Sequence, residues 1–334
     1  MTQLAERSRT RRWQGPVVGI VAVACLVGIS VFAPGIFSDP LPTRLQDGLT
    51  LSLSVLIEAL PFVMLGVVLS IVMQVWVPSG VIERIMPRAA WARRAVLSLV
   101  GMVIPVCECG NVPFARGLMM RGVGPADTLA FLVAAPIVNP IVIITTHQAF
   151  GFDDGILIAR LAGGYLIANL VGWLYSRHPD PQALLTGRFA QTCETASHDH
   201  GSRAARTIAQ FVVELRAVMP ALVIGSAIAG AVQVLVPRSL LVAIGSNPVL
   251  SIVAMVLLAI TVAICSNVDA FFALSFAATF SPGSLVAFLL VGPVVDLKMM
   301  ALMRTTYTTR VIAGIVAVVI LAAVAIGIGV NLVV

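Results

Sequence analysis

The sequence predicts an all-α polytopic membrane protein. Its halves form an internal duplication with inverted orientation, each half having three spans plus a re-entrant hairpin, after one extra N-terminal span. Three observations carry that expectation. Only 11% of the 334 residues are charged and 59% are hydrophobic, against about a quarter charged in soluble domains. Long uncharged runs recur at Pro16–Ser38, Ala59–Ile82, Ala217–Pro237, Ser239–Val268, Ala270–Val295 and Val311–Val334, each long enough to cross a hydrocarbon core of about 30 Å as a helix. The two halves also match when the chain is slid along itself.

Taken in order, residues 1–15 read as a cytoplasmic tail, because Arg7, Arg9, Arg11 and Arg12 precede the first run and basic residues stay inside. Residues 16–38 read as an uncleaved first span, since "FAPGIFSDP" offers no small-x-small cleavage site. The net charge of +6 reports loop arginines and orientation rather than nucleic-acid binding. Five cysteines without even pairing in extracellular loops argue against a disulfide framework.

The first repeat is expected over 45–175 and the second over 207–334. Pro61, Gly66, Gln74 and Pro78 match Pro220, Gly225, Gln233 and Pro237 at a shift of 159 (220 − 61). Cys109 and Asn111 match Cys265 and Asn267, and Pro125, Ala130-Phe131-Leu132 and Pro136 match Pro282, Ala287-Phe288-Leu289 and Pro293. Hairpins over about 95–121 and 249–280 keep Arg84, Arg88, Arg93, Arg94 and Arg121 inside and put Asp153 and Asp154 outside. The same reading sets Arg160 near the outer end of its span, where it must snorkel. The linker 176–206 becomes a cytoplasmic connector, rich in turn formers. Its Cys193, His198 and His200 lack the fixed spacing of a metal site.

Chemistry is expected where the helices break. In the first half Pro105 precedes Cys107-Glu108-Cys109-Gly110-Asn111, and Pro113 starts a new helix. In the second half Cys265-Ser266-Asn267 precedes Asp269. A second matched pair of breaks follows, with Pro136 and Asn139 in "AAPIVNP" against Pro293 and Asp296 in "VGPVVDL". Irregular backbone at membrane depth survives only where protein or water satisfies it. A carboxylate there costs about 2.5–3.5 kcal/mol even on the mild insertion scale. Glu108, Asp269 and Asp296 are therefore candidate proton-coupling groups, Asp296 first because its counterpart Asn139 is neutral. Cys107, Cys109, Asn111, Pro136, Asn139, Cys265, Asn267 and Pro293 are candidate substrate contacts. Cys25 reads as a small hydrophobe, and Glu58, Arg116 and Lys298 as residues nearer the interfaces. Lys298, two positions from Asp296, does not face it on a regular helix.

The stretches "CECGNVPFARGLMMRGVGPADTLAFLVAAPIVNPIV" and "CSNVDAFFALSFAATFSPGSLVAFLLVGPVVDLKMM" resemble the YraQ/ArsP-like permease family, over roughly residues 45–310. The resemblance implies a bacterial inner-membrane permease. Some members export trivalent organoarsenicals through membrane-embedded cysteines, which would correspond to Cys107, Cys109 and Cys265.

Together these features predict a secondary transporter exporting a small thiophilic or anionic solute through a site between paired broken helices. Soft thiolate ligands suit a soft centre such as trivalent arsenic. No cofactor and no nucleic-acid partner is expected; the partners are the substrate, the bilayer and, compatibly, further copies of the chain. A membrane thiol oxidoreductase using Cys107 and Cys109 is the alternative from another class, although their spacing is CxC rather than CxxC. A channel is the other.

Overall fold

Several helices begin at prolines, and the central breaks carry short polar motifs. The computed structural model describes residues 43–78, 80–104, 107–152, 155–195, 203–235 and 248–333. The tail 1–15, the run 16–38 with Cys25, and Pro105, Asp153, Asp154, His198, His200 and Pro237 lie outside the described residues.

The first half comprises α1 (Thr43–Ile71, extended by a π turn over Val72–Trp76), α2 (Val81–Ile85), α3 (Ala90–Val100), α4 (Glu108–Met120), α5 (Pro125–Ala134), α6 (Pro140–Phe150) and α7 (Ile156–Ser176). A 3-10 turn (Pro181–Leu184) and α8 (Gly187–Thr195) follow. Then come α9 (Arg203–Leu235), α10 (Pro248–Thr261), α11 (Asp269–Leu274), α12 (Pro282–Val295), α13 (Leu297–Met303) and α14 (Thr309–Val333). Among the described residues, five stretches are long and apolar enough to cross a membrane: Thr43–Trp76, Ile156–Ser176, Arg206–Leu235, Pro282–Met303 and Thr309–Val333. The molecule is an all-α membrane protein.

Three of the uncharged runs are not continuous helices, and Ala59–Ile82 leaves its long helix after Trp76. The run Ser239–Val268 stops being helical after Thr261, where Cys265-Ser266-Asn267 approaches, and Ala270–Val295 is interrupted by turns over 275–281. Residues 125–150 form two short helices because Pro136 and Pro140 each withdraw a backbone donor. Proline opens α5 and α12 at the first helical position, where the missing N–H costs nothing.

The long helices surround the broken ones. α1 packs on α9 and α4, α12 on α14 and α10, α5 on α7 and α3, and α9 on α13. The Pro282–Met303 element has 78% of its apolar window buried, against 33–50% for the other four long stretches, so α12 and α13 form the centre. Two matched glycines permit close approaches to the site helices. A Cβ on Gly66 would meet the Gly110 carbonyl of α4 at 2.2 Å, and one on Gly225 would meet the Lys298 Cα of α13 at 3.0 Å. Each glycine thereby brings a long helix against a short one that carries site residues.

The linker departs from the solvated connector expected of it. Leu184, Leu185 and Phe189 are buried. The Thr186 N–H donates to the Thr306 carbonyl at 2.8 Å, and the Thr308 N–H to the Leu184 carbonyl at 3.0 Å. The reason is local composition: "ALLTGRFA" offers apolar side chains that the turn between α13 and α14 covers.

A buried thiol and carboxylate cluster as the candidate site

Both central breaks close on a cysteine carbonyl. The N–H groups of Gly110 and Asn111 donate to the Cys107 carbonyl at 3.1 and 3.3 Å, and those of Val268 and Asp269 donate to the Cys265 carbonyl at 3.0 and 3.2 Å. The backbone thus equates Cys107 with Cys265, where sliding the sequence had paired Cys109 with Cys265. Pro113 does not start α4, as its sequence context suggested. The helix begins at Glu108, and Pro113 lies within it, so the Cys109 carbonyl receives no helical N–H.

The turns bring three thiols together. The ligand atoms of Cys107, Glu108 and Cys109 lie within 4.8 Å of one another, and the thiols of Cys109 and Cys265 both lie beside that of Cys107. All three cysteines are buried and unbridged. Glu108, fully buried at 0% exposure, accepts on Oε2 from the Ser266 hydroxyl at 2.9 Å, the Ser266 N–H at 3.4 Å and the Cys265 thiol at 3.8 Å.

Lys298 supplies the opposing charge. Its Nζ lies 3.0 Å from Glu108 Oε1 and 3.5 Å from Asp296 Oδ2, and donates to the Ala263 carbonyl at 3.4 Å. That carbonyl belongs to the irregular segment after α10, so the ammonium also satisfies broken backbone. The expectation that Lys298 turns away from Asp296 is overturned, and the ammonium is buried in protein rather than solvated. Asp296 is the N-cap of α13, outside the regular helix, and its Oδ1 accepts from the Met299 N–H. The helical spacing rule does not reach a capping residue. Asn139 plays the same part in the first half, capping α6 by accepting from the Ile141 N–H at 2.9 Å. Pro136 lies in the turn before that cap, whereas Pro293 lies inside the last turns of α12.

Asp269 is held apart from this cluster. Arg160 Nη1 and Nη2 donate to its two carboxylate oxygens at 2.9 and 2.6 Å, and Nη1 also donates to the Thr146 hydroxyl at 2.8 Å. Arg160 is fully buried and does not snorkel, because Asp269 offers both oxygens within the protein. Asn111 Nδ2 and Asn267 Oδ1, each two residues along the chain from a cysteine of the cluster, are buried without a hydrogen-bond partner among the described residues.

A third buried pair closes the far end of α4. Arg116 Nε donates to Glu214 Oε2 at 2.8 Å, and Nη1 donates to the Thr305 carbonyl at 3.1 Å. The guanidinium also covers the Phe189 ring at 4.2 Å. Gln74 Nε2 reaches Glu214 Oε1 at 3.4 Å, so Arg116 does lie level with the end of α1, but it is sealed in protein rather than solvated. Glu58, also expected near an interface, falls instead at the sixteenth position of the 34-residue stretch Thr43–Trp76 and is exposed.

Sequence reasoning singled out the acids and thiols but missed Arg160, Lys298 and Ser266 as their partners, and it missed the separate pair of Arg116 with Glu214. The signal was present. A cation in an apolar span is as costly as an acid, so Arg160 and Lys298 warranted the same default reading as Asp269 and Asp296.

Broken helices that converge on buried polar groups inside a multi-spanning α-helical protein are an arrangement found in membrane transporters. The chain belongs to the family described as "Predicted permease" (ArsP_1), whose model matches residues 44–332. It is 34% identical over 275 residues, 81% of this chain and 91% of the relative, to a "Putative two-component membrane permease complex subunit" of Streptococcus mutans. It is 37% identical over 262 residues, 77% of this chain and 88% of the relative, to "UPF0718 protein YcgR" of Bacillus subtilis. A shorter likeness, 29% over 121 residues, covering 36% of this chain and 35% of the relative, connects it to "UPF0718 protein YraQ" of Escherichia coli. No solved structure matches the chain.

Proposed function

We propose that the chain is a gradient-driven exporter of a small thiophilic solute, of which a trivalent arsenical is the type. The observation that carries this reading is the convergence of Cys107 and Cys109 from the first half with Cys265 from the second, around Glu108. Thiols on two separate elements can hold a soft centre in one arrangement and release it when the elements part. The net charge favours this reading over an anionic substrate. Glu108 and Asp296 face a single Lys298, leaving one negative charge in excess, so a neutral or cationic solute with hydroxyl donors is the better match. The unused Asn111 amide donor and Asn267 acceptor would complete its hydrogen bonding.

In this reading the halves are inverted repeats in a bacterial inner membrane, with the N-terminus cytoplasmic. The cross-pairing of Glu108 with Lys298 and of Asp269 with Arg160 supports it, since each half's acid meets the other half's base. Glu108 and Asp296 carry the coupling proton, while Asp269 keeps the second break in place. The Streptococcus relative's name as one subunit of a two-component complex favours a second membrane subunit here as well, and the exposed Glu58 agrees with that.

Transport is tested in everted vesicles loaded with a panel of soft metals and trivalent arsenicals, alongside toxicity of the same panel to a deletion strain. Cys109→Ser and Cys265→Ser should each abolish accumulation, while Cys193→Ser leaves it intact. Normal transport by both tip variants would reduce the cysteines to packing residues and reject the reading. Orientation is tested separately: a cysteine at the exposed Ser176 should resist an impermeant maleimide added to intact cells, and one at Asp153 should react.

A further inference from the structure

We propose that the exposed face of α1 around Glu58 is the docking surface for a membrane-spanning helix of a second subunit that carries a lysine or arginine at that depth. The inference rests on the two-subunit reading above and adds the place and the chemistry. It begins from a contrast among the acids. Glu108, Asp269, Glu214 and Asp296 are all buried, and each meets a cation of this chain. Glu58 has no ion-pair or hydrogen-bond partner among the described residues. It nevertheless sits near the middle of the apolar stretch Thr43–Trp76.

The residues around it form one face. Ser54, Ile57, Pro61, Leu65 and Val68 are exposed with Glu58, at the three- and four-residue spacing that puts side chains on one side of a helix. The opposite side, including Leu56, Ala59, Val63 and Val67, is buried in the core. An acid facing hydrocarbon carries a free-energy cost that a cation at the same depth offsets.

Two nearer occupants do not fit that chemistry. The chain's own run Pro16–Ser38 contains no lysine or arginine and offers no charge to the carboxylate. Among its described residues, a second copy in the same membrane orientation offers none at that depth either. Exposed arginines such as Arg84, Arg88, Arg177, Arg304 and Arg310 sit in turns or at helix ends. The half-buried Arg216 is two residues from Glu214, which is level with Gln74. Gln74 lies about 24 Å along α1 from Glu58 at 1.5 Å per residue.

The test places a photo-crosslinking amino acid at Leu65 in the full-length chain, expressed in its native membrane, with Leu321 of α14 as an exposed control. The expected product joins Leu65 to a spanning helix of another polypeptide, with a lysine or arginine in the crosslinked segment. Glu58→Gln should lower its yield about tenfold or more, since a charge-assisted contact is lost. Glu58→Lys should abolish it, and an acid at the partner's basic position should restore it. Crosslinks to residues 16–38, to a second copy or to lipid alone would overturn the proposal. So would an unchanged yield with Glu58→Gln. Native mass spectrometry of the purified complex separates the two levels. A second subunit that co-purifies without a Leu65 crosslink rejects this surface alone, and its absence rejects the two-subunit reading as well.

Discussion

Among the described residues three buried ion pairs join the halves of this chain, and the two at the central helix breaks are built differently. Asp269 and Arg160 meet through two hydrogen bonds of 2.9 and 2.6 Å, with Thr146 on the same guanidinium. Glu108 and Lys298 approach to 3.0 Å, but Glu108 Oε1 has no aligned hydrogen bond, and Lys298 is shared with Asp296 and the Ala263 carbonyl. A guanidinium fork on a carboxylate fixes geometry, whereas an ammonium is a point charge that can move among several oxygens. One pair is a clamp. The other can rearrange, and it is the one beside the thiols.

The largest expected effect comes from breaking the clamp. Asp269→Asn leaves the Arg160 charge buried and uncompensated, a loss of about 3–5 kcal/mol by analogy with other buried pairs. Thermal unfolding in detergent should show it, with a much reduced folded yield. Arg160→Met combined with Asp269→Leu should recover part of the loss, because a well-packed apolar pair can replace a buried ionic one. Wild-type stability in Asp269→Asn would mean that the carboxylate is neutral or free in the resting protein, and would return it to the list of coupling groups.

That comparison also marks how far the sequence was legible. Long uncharged runs overlap four of the five long apolar stretches among the described residues, missing Ile156–Ser176, and polar motifs marked the central breaks, because solvation in lipid leaves few alternatives for a polar backbone. Thiols, acids and amides near the breaks were legible for the same reason. Which acid meets which base was not, since Asp269 and Arg160 are separated by 109 residues, a distance no local pattern spans. Nor was the approach of Lys298 to Asp296, which depends on Asp296 being a cap rather than a helical residue. The linker failed differently: its buried stretch is short, and turn formers on either side obscured it.

The next effect is smaller on the fold and larger on transport. Exchanging the two kinds of cation tests whether the difference between a fork and a point charge matters. Arg160→Lys should cost about 1.5–3 kcal/mol, the value of a lost charge-assisted hydrogen bond, and leave transport by the surviving folded protein near normal. Lys298→Arg should keep the charge and much of the stability, yet slow transport about tenfold or more, because a fork locked on Glu108 resists rearrangement. Equal effects of the two swaps on both readouts would erase the distinction between clamp and mobile centre.

The smallest effect on the fold is expected from Asp296→Asn, and it discriminates most sharply. Asparagine caps a helix about as well as aspartate, and Asn139 already does so at the start of α6. The variant should therefore unfold within about 1 kcal/mol of the parent, the usual cost of a whole cap. It removes one of the two acids that share Lys298, deletes a titratable group, and makes the two caps alike. If Asp296 carries the coupling proton, accumulation driven by a pH gradient in vesicles should disappear. Counterflow exchange of substrate, which moves no net proton, should persist. Unchanged pH-driven accumulation would exclude Asp296 and leave Glu108 as the coupling acid, to be tested by Glu108→Gln in the same assay. Loss of exchange as well would show that the second carboxylate holds Lys298 in position for the thiol site, since neither substrate binding nor release would then survive its neutralisation.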